Sequence, residues 1–558
     1  MGLKSEARPR RWRAGWGKVV GVVLIASAVN GLAPAATAAG STVVEARSAV
    51  DAGSWSALDD FVEGRLDATG TPGAALAVIE GGRVVHERGF GKDGRGRAVT
   101  SDTAFLWGSV AKPVTGLAVM QLVEAGRVEL DAPARTYLPW FRLADREVSD
   151  RITVRQLLTN TSGIPASATG RIGDRYDNAP GALSDAVRDL ARIASAAEPG
   201  ESYAYSSAGY AVLGALVEEV SGRPFGAYVH ENVLDPLGME HAVATERDFD
   251  REQVPPGHRF LFGKPTPFEA PYDTSGVPGA HVGGSARDLA RFVRAQLGGG
   301  QLDGRRVLSA QGIAETQRGQ VDSDADRFGL GWSVGTLEGT NERMVWKSGS
   351  LPGHDAMVVM LPDRDRAVIV LQNAFHLLRA QEFHDAAFGA ARILSGAAPE
   401  RTSADPLAFV LPWAMVALAG GLALGLVAPA LRILPRRREA SRARSRRRII
   451  LNTVVSVAVL LTPAALLWWV LPAALGASID SALLWLPDVG WAAVGVVAVA
   501  LALAVERTAL AVVDLRRCKG HRQGAEVAPW AKAGCDHVGG SPLISRVGAP
   551  PGPGHSSK

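Results

Sequence analysis

Three long apolar runs occupy the C-terminal part of the chain and divide it into portions that must fold in different surroundings. The runs cover residues 407–431, 449–475 and 483–505. Each contains about 20 residues or more, which is the length that an α-helix needs to cross the hydrocarbon core of a bilayer. The sequence therefore predicts three transmembrane helices within residues 401–519, and a separate domain over residues 39–400.

Charged residues beside these runs indicate an orientation. The segment between the first two runs, residues 432–448, contains nine Arg and one Glu, and four further cations follow the third run within residues 507–519. Loops rich in Lys and Arg remain on the cytoplasmic side of a membrane. We therefore expect a multi-pass protein of the cell membrane, with residues 39–400 outside the cytoplasm. Residues 520–558, rich in Gly, Pro and Ser, are predicted to form a disordered cytoplasmic tail.

The N-terminal segment has the composition of a targeting sequence. Six Lys and Arg lie before an apolar run at residues 19–28, and Ala36-Thr37-Ala38 matches a small-x-small cleavage pattern. This pattern predicts a signal peptide over residues 1–38, with an uncleaved membrane anchor as the alternative. Export agrees with the orientation that the Arg-rich loop predicts.

The domain over residues 39–400 is acidic, with 36 Lys and Arg against 47 Asp and Glu, although the whole chain has a net charge of +4. An acidic domain argues against nucleic acid as a partner. The two cysteines of the chain, Cys518 and Cys535, lie beyond this domain, which therefore has no disulfide framework and no Cys nucleophile. Its histidines show no spacing typical of a zinc site, and we predict neither a metal nor a cofactor.

Apolar periodicity predicts strands at both ends of this domain and helices in its middle. A short buried strand at 73–79 and its return at 84–86 are joined by a Gly-Gly turn, which is typical of a β-hairpin. Further strands are predicted at 328–334, 343–346, 354–361 and 367–371, and helices at 54–66, 109–125, 184–225, 286–297 and 380–394. This order predicts an α+β fold, with an antiparallel sheet flanked by helices and an inserted helical subdomain.

The sequence Ser109-Val110-Ala111-Lys112 starts one of the predicted helices. On a helix, Ser109 and Lys112 lie on one face a single turn apart, which puts an amine beside a hydroxyl. This pair is the minimal arrangement for a serine nucleophile without histidine, and its alternative is a surface serine near a lysine. Residues 39–400 contain only four lysines and otherwise use Arg, which cannot act as a base because it does not lose its proton.

Two further short motifs follow in the chain, Tyr205-Ser206-Ser207 and Lys347-Ser348-Gly349. With the Ser109 motif, their order and spacing resemble the superfamily of serine β-lactamases and D-alanyl-D-alanine peptidases, in its class C-like branch. Supporting phrases lie at residues 157–163, 236–239 and 329–332. The resemblance covers residues 50–395, excludes the apolar runs, and implies a β-lactamase and transpeptidase-like fold.

The resemblance implies a role for each residue of these motifs. Ser109 would attack a carbonyl, Lys112 would accept its proton, and Tyr205 would be the second proton-transfer group. Lys347, on an edge strand, would hold a substrate carboxylate, and the backbone N–H groups of Ser109 and Ser350 would form the oxyanion hole. Two ammonium groups near Tyr205 are expected to lower its pKa from about 10.

Ser207, Ser348 and Gly349 would contact substrate, although two of these positions depart from the family pattern. Ser207 stands where Asn is usual and lacks the two N–H donors of an amide, while Ser348 stands where Thr is usual and keeps the hydroxyl. We therefore predict a serine hydrolase that forms an acyl-enzyme on an amide or ester of a small-molecule or peptide substrate, such as one derived from the cell wall. A carboxylesterase or D-peptidase is an alternative to a β-lactamase, and a non-catalytic ligand-binding or sensor module is the alternative outside enzymes.

Overall fold

The structure, a computed structural model, describes residues 55–324, 326–400, 402–433, 445–470 and 478–526. The predicted signal peptide and residues 527–558 of the predicted tail lie outside the described residues. The chain divides into two compact units. The first comprises residues up to Leu422 together with Pro463–Val499, and the second comprises Ala423–Thr462 together with the residues from Ala500 onward.

Most strands of the first unit join one large sheet. In chain order the strands are β1 (Gly73–Glu80), β2 (Arg83–Gly91), β3 (Phe105–Leu106), β4 (Gly257–Leu261), β5 (Lys264–Phe268), β6 (Gly283–Gly284), β7 (Gln301–Leu302), β8 (Arg305–Arg306), β9 (Val321–Asp322), β10 (Arg327–Phe328), β11 (Ser333–Thr336), β12 (Arg343–Leu351), β13 (His354–Leu361), β14 (Arg366–Gln372) and β15 (Ala374–Phe375). Among the described residues the main sheet has eight antiparallel strands in the order β2-β1-β14-β13-β12-β11-β10-β9. The N-terminal hairpin therefore pairs with the last long strand of the domain, Ala77 lying opposite Ile369.

Helices flank this sheet and continue into the apolar runs. In chain order they are α1 (Ser56–Thr69), α2 (Ala111–Glu124), α3 (Arg146–Arg151), α4 (Val154–Leu158), α5 (Thr169–Ile172), α6 (Ala182–Arg188), α7 (Ser207–Ser221), α8 (Phe225–Val229), α9 (Glu246–Glu252), α10 (Ala286–Leu297), α11 (Ala310–Thr316), α12 (Ala380–Leu394), α13 (Leu407–Ile433), α14 (Arg446–Ala465), α15 (Ile479–Trp485) and α16 (Pro487–Glu526). The helices α3 to α9 form the subdomain inserted between β3 and the strands that return to the sheet. The predicted α+β class and its inserted helical subdomain are confirmed.

Alternate residues of the central strands pack into two different cores, one on each face of the sheet. On β1, Ala75, Ala77 and Ile79 face the larger core, which also contains α2 and α10. Leu76 and Val78 face the smaller core, which is covered by α1 and α12. Because both faces are covered, β1 reads as an almost continuous apolar run rather than as an alternating strand.

Helix α2 is more deeply buried than one apolar face would require. Every residue from Ala111 to Met120 is buried, whereas Ala125, just after the last helical residue Glu124, is exposed. The reason is that α2 packs against the sheet on one side and against the inserted helices on the other. The helix does end as predicted, because Gly126 adopts a left-handed conformation with φ +66° directly after it.

Two strand predictions differ from the structure in their extent. Residues 328–334 are not one strand, because the chain turns between β10 and β11 and buries Leu330 and Trp332 completely. Leu330 N–H donates to Thr316 O at 3.0 Å, which replaces the pairing that a continuous strand would have made. Strand β12 extends beyond the predicted 343–346 to Leu351, and this extension contains the Lys347-Ser348-Gly349 motif.

Within the part of the chain that the structure describes, three helices are long and apolar enough to cross a membrane: Leu407–Gly425, Arg446–Val470 and Pro487–Arg516. The third of these helices begins at Pro487, later than the start of the apolar run at 483–505 from which it was predicted. Leu483 belongs instead to the short helix α15, which ends at Trp485. Pro487 causes the break. Proline has no backbone N–H to donate to a carbonyl of the preceding turn, and it is favoured at the first position of a new helix.

The two-core sheet leads to a prediction for stability. Leu76→Ala in β1 should lower the free energy of unfolding by about 3 kcal/mol, because the fully buried side chain leaves a cavity under α1 and α12. The matched control is Leu261→Ala in β4, where the leucine is 38% exposed and the same truncation should cost less than about 1 kcal/mol. Thermal unfolding of the full chain in detergent measures both, and equal shifts of the midpoint would contradict the prediction.

Candidate active site

Ser109 lies in a tight 3₁₀ turn, Gly108–Val110, that leads directly into α2. Trp107 anchors this turn: it is fully buried, and its indole Nε1 donates to Gly284 O at 3.1 Å. Gly108 has φ +53°, a left-handed conformation that side chains with a Cβ rarely adopt. The turn therefore holds the half-buried Ser109 just before the first residue of α2. The packed side chain of Trp107 fixes the backbone geometry of this turn.

The turn lies against β12 at a distance that only glycine permits. A Cβ on Gly349 would lie 2.1 Å from Trp107 O and 2.5 Å from Ser109 N, and a Cβ on Gly108 would lie 2.3 Å from Ser350 N. The backbone nitrogens of Ser109 and Ser350, predicted as the oxyanion hole, are thus neighbours across this contact. Two convergent backbone N–H groups can stabilise negative charge that develops on a carbonyl oxygen.

Lys112 is the most deeply buried cation of the site, with 0% exposure. Its Nζ lies 3.0 Å from Ser109 Oγ, 2.8 Å from Ser207 Oγ and 2.9 Å from Gly279 O. Burial lowers the pKa of Lys112 well below its ordinary value, and the nearby charge of Lys347 lowers it further. The amine therefore lies within hydrogen-bond distance of the proposed nucleophile and favours its neutral form.

Ser207 begins helix α7, and its hydroxyl contacts the amine of Lys112 at 2.8 Å. Its backbone N–H donates to Thr169 Oγ1 at 3.0 Å, so the start of α7 is tied to α5. The position at which the family pattern has Asn thus contributes a short hydroxyl to the lysine, and it also lines the cleft beside Ser109.

Tyr205 is positioned by a residue that the sequence interpretation assigned no role. Asn160, buried and with φ +57°, accepts a hydrogen bond from Ala204 N–H on its backbone oxygen at 2.8 Å, and one from Ser206 N–H on its side-chain oxygen at 3.1 Å. These two bonds hold the residues before and after Tyr205. The only sequence signal for this role is an Asn in a Thr-Asn-Thr-Ser-Gly turn, since Asn tolerates the left-handed conformation.

Both lysines lie over the ring of Tyr205. Lys112 Nζ is 4.9 Å and Lys347 Nζ is 4.5 Å from the ring centroid, distances typical of cation–π contacts. The pKa of Tyr205 is nevertheless raised, because burial of the phenol outweighs its hydrogen bond with Ser109. This direction is opposite to the predicted one. Burial also lowers the pKa of both amines, so each favours a phenolate less than an exposed ammonium would.

Lys347 is 5% exposed, and its amine also contacts the ring of Phe328 at 5.1 Å. Burial lowers the pKa of Lys347 to about 7. Among the described residues β11 pairs with β12 only from Arg343 to Trp346, so the strand has no β-neighbour on this side from Lys347 onward. Lys347 is therefore at a sheet edge, as predicted, but only because β11 stops there. The part of β12 before Lys347 is internal to the sheet.

Ser350 is held from behind by a buried carboxylate. Its hydroxyl donates to Asp355 Oδ1 at 2.7 Å, and Gln372 Nε2 donates to Asp355 Oδ2 at 3.3 Å. Asp355 lies opposite Ser350 on β13 and is fully buried. The side chain of Ser348, in contrast, is not among the described residues that line the cleft beside Ser109.

The cleft beside Ser109 has about 680 Å³ of empty space, part of which is open to solvent. Four serines, Ser109, Ser207, Ser275 and Ser350, line it, and Ile172 and Leu351 are among its apolar residues. Its lining also includes Asp174, His281 and Trp485, none of which belongs to a predicted motif. Sequence reasoning missed Trp485 in particular, because it falls within a run of apolar residues that reads as a transmembrane helix.

The structure thus brings together most of the predicted site. Ser109, Lys112, Tyr205, Ser207, Lys347, Gly349 and Ser350 meet where the start of α2, the start of α7 and the free edge of β12 converge. They come from segments separated by up to about 240 residues of chain, and the fold supplies their proximity.

Comparison with known proteins agrees with this geometry. The family model described as Beta-lactamase matches residues 58–391, which is more than half of the chain. Penicillin-binding protein 4 of Amycolatopsis lactamdurans is 36% identical over 284 residues, covering 49% of this chain and 73% of that protein. Protein flp of Staphylococcus aureus is 25% identical over 318 residues, covering 57% of this chain but only 62% of that protein.

A solved structure shows the same fold. The octameric penicillin-binding protein homologue from Pyrococcus abyssi superposes with a TM-score of 0.54 and 24% identity, over 65% of this chain and 81% of that chain. The predicted β-lactamase-like architecture is therefore confirmed. By the extent of the family match and its similarity to Penicillin-binding protein 4, the chain belongs to the β-lactamase family, within the superfamily of serine β-lactamases and penicillin-binding proteins.

Proposed function

We propose that this protein is a membrane-anchored serine hydrolase that forms an acyl-enzyme at Ser109 on an amide or ester substrate. The observation that supports this most directly is the contact between the fully buried Lys112 amine and Ser109 Oγ at 3.0 Å. A buried lysine beside a serine activates it, because desolvation leaves the amine neutral and able to accept the hydroxyl proton.

The three contacts of Lys112 match the two N–H groups and the one lone pair of a neutral amine. Gly279 O can only accept, so it takes one N–H, and the hydroxyl of Ser207 can accept the second. The lone pair of the nitrogen is then left for the hydroxyl of Ser109. In this arrangement Ser109 Oγ attacks the carbonyl carbon of the substrate while its proton moves to Lys112 Nζ.

Tyr205 is the group we propose for protonating the leaving group. Its raised pKa keeps the phenol protonated at neutral pH, and its hydrogen bond with Ser109 places it near the reacting atoms. Its proton passes to the departing oxygen or nitrogen as the acyl-enzyme forms. Water then attacks the acyl carbon and gives its proton to the Tyr205 phenolate, while Lys112 returns its proton to Ser109 Oγ, which restores both groups and releases the acid. The backbone N–H groups of Ser109 and Ser350 stabilise the tetrahedral oxyanion.

The other candidate is a sensor that binds a ligand without turning it over. The neutralised, buried Lys112 favours an enzyme, since a binding module would have no use for a base against a serine hydroxyl. The three apolar helices support membrane association, and the nine Arg between the first and second support an orientation with the catalytic domain outside the cytoplasm. A small-molecule or peptide substrate, such as one derived from the cell wall, fits that location.

The first test concerns the nucleophile. A fluorophosphonate probe should label the wild-type chain and should fail to label Ser109→Ala, because the probe reacts with an activated serine. Ser184→Ala, which removes a hydroxyl from α6 outside the site, is the matched control and should label normally. Labelling of Ser109→Ala at the wild-type rate would exclude Ser109. Intact mass and product release with an ester substrate then separate the two candidates, because a non-catalytic sensor neither forms an acyl adduct at Ser109 nor releases product.

The second test concerns the base. Lys112→Arg keeps the positive charge but cannot be deprotonated, and it should lower kcat/KM roughly a hundredfold or more. The same substitution at the exposed Lys264 in β5 is the control and should leave kcat/KM unchanged. Near-normal turnover by Lys112→Arg would mean that Lys112 only packs against the site.

The third test concerns Lys347 and pH. Its pKa of about 7 means that the amine is charged below pH 7 and neutral above it. If the ammonium binds a substrate carboxylate, kcat/KM for a depsipeptide ester whose leaving group has a free carboxylate should fall as pH rises through about 7. This kcat/KM is divided by the kcat/KM for the same ester with that carboxylate methylated. Titration of Lys112 affects both esters equally and cancels in the ratio.

Lys347→Arg provides the control for this pH profile. Arginine remains charged over the whole range, so the ratio of the two kcat/KM values should become independent of pH. A wild-type ratio that is already flat between about pH 5.5 and 8.5 would rule out carboxylate recognition by Lys347.

A further inference from the structure

The cleft beside Ser109 is completed by a residue from outside the β-lactamase-like domain. Trp485 lines this cleft together with Ser109, although it lies beyond the family match that ends at residue 391. It ends α15, the short helix between the second and third apolar helices. A chain segment that would otherwise only connect two membrane helices therefore reaches the candidate active site.

Three contacts fix the indole at this place. Trp485 Nε1 donates to Asp174 Oδ2 at 3.0 Å, and its ring meets the ring of Phe375 edge-on at 6.3 Å. Arg259 Nη1 donates to Leu483 O at 3.2 Å and to Leu484 O at 3.1 Å, which ties the end of α15 to β4. A polar bond, a ring contact and a backbone tether together specify one orientation of the indole.

The position of Trp485 places it beside the acyl group of a bound substrate rather than beside the leaving group. Tyr205 and Lys347, which we propose protonate the leaving group and bind its carboxylate, do not line the cleft that Trp485 lines among the described residues. The cleft instead extends from Ser109 past Ser207 and Ser350. A substrate whose leaving group points to Tyr205 therefore places its acyl group in this cleft.

Most of the cleft surface is apolar, although Asp174, Ser275 and His281 also line it. Ile172, Ala211 and Leu351 are among its apolar residues, and the indole of Trp485 adds the largest apolar surface, since its one polar atom is already bonded to Asp174. An apolar group buried here gains affinity in proportion to the area removed from water. Aromatic walls of this kind recognise alkyl and aryl groups.

We propose that Trp485 is a specificity-determining residue, whose indole forms the wall that binds an apolar acyl group of the substrate. The inference rests on the proposed acyl-enzyme mechanism at Ser109 and adds the substrate class: esters or amides of acids with an alkyl or aryl side chain. The segment between the second and third apolar helices thus contributes to substrate selection as well as to anchoring.

The test compares two esters with one leaving group. The full chain in detergent is assayed with p-nitrophenyl hexanoate and p-nitrophenyl acetate, and the ratio of their kcat/KM values measures preference for an apolar acyl chain. Trp485→Ala should lower this ratio about tenfold, mainly by loss of the hexanoate rate, because a contact in an apolar pocket discriminates to this extent. Titration with a fluorophosphonate measures the fraction of folded sites, so that a loss of folding is not counted as a change of specificity.

Two further variants separate recognition from packing. Trp485→Phe keeps an aromatic wall but loses the bond to Asp174, and it should retain most of the preference. Trp469→Ala removes a tryptophan that is 68% exposed, and it should leave the ratio unchanged. An effect of Trp485→Ala on both esters alike would reduce Trp485 to a packing residue, and a gain with hexanoate would identify it as an obstruction; either result overturns the proposal.

Failure of the mechanism gives a different result. If the fluorophosphonate labels neither the wild-type chain nor any variant and neither ester is hydrolysed, the proposed function is wrong, and the inference that rests on it falls as well. If the wild-type chain is labelled at Ser109 and hydrolyses both esters with a ratio that Trp485→Ala does not change, only the inference is wrong.

Discussion

The site depends on the burial of one amine. Lys112 has no exposed surface, and its Nζ contacts two hydroxyls and a carbonyl but no carboxylate. An ammonium ion in such surroundings is unfavourable, so burial lowers the pKa of Lys112. The helix that contains Lys112 is itself buried from Ala111 to Met120, between the sheet and the inserted helices. The same packing that makes α2 a core element therefore lowers the pKa of its lysine.

Close approach between backbone segments is the second requirement. The 3₁₀ turn with Ser109 and the free part of β12 touch through Gly108 and Gly349, where any Cβ would overlap backbone atoms. Asp355, buried on the neighbouring strand β13, accepts a hydrogen bond from the Ser350 hydroxyl and so holds this part of β12. The approach of the Ser109 and Ser350 backbone nitrogens, the candidate oxyanion site, is therefore set by backbone packing and needs no side chain to form it.

The membrane region is involved in the site as well. The apolar composition of residues 483–505 makes them a single run in sequence, yet Pro487 divides them and leaves α15 outside the third apolar helix. The tethers from Arg259 and Asp174 then hold Trp485 against the catalytic domain. A short segment between two apolar helices thus lines the candidate cleft, although it lies beyond the residues that match the family.

The sequence by itself was sufficient for several features. The order of strands and helices predicted the α+β class, the spacing of Ser109 and Lys112 predicted their contact, and the apolar runs predicted three long apolar helices. These succeed because helical and strand periodicities and short-range spacing are local properties. The sequence also contained the motifs of Tyr205 and Lys347, whose resemblance to a known superfamily indicated that they would meet.

Only the tertiary structure decided the protonation of the site and the boundary of its cleft. The pKa of Tyr205 was predicted to fall and instead rises, because its direction depends on desolvation of the phenol and of both amines, which no spacing in the sequence records. The roles of Asn160 and Trp485 were also missed, since each acts on residues more than 40 positions away through contacts that the fold creates. Local pattern determines which elements form, whereas burial and long-range approach determine what their side chains can do.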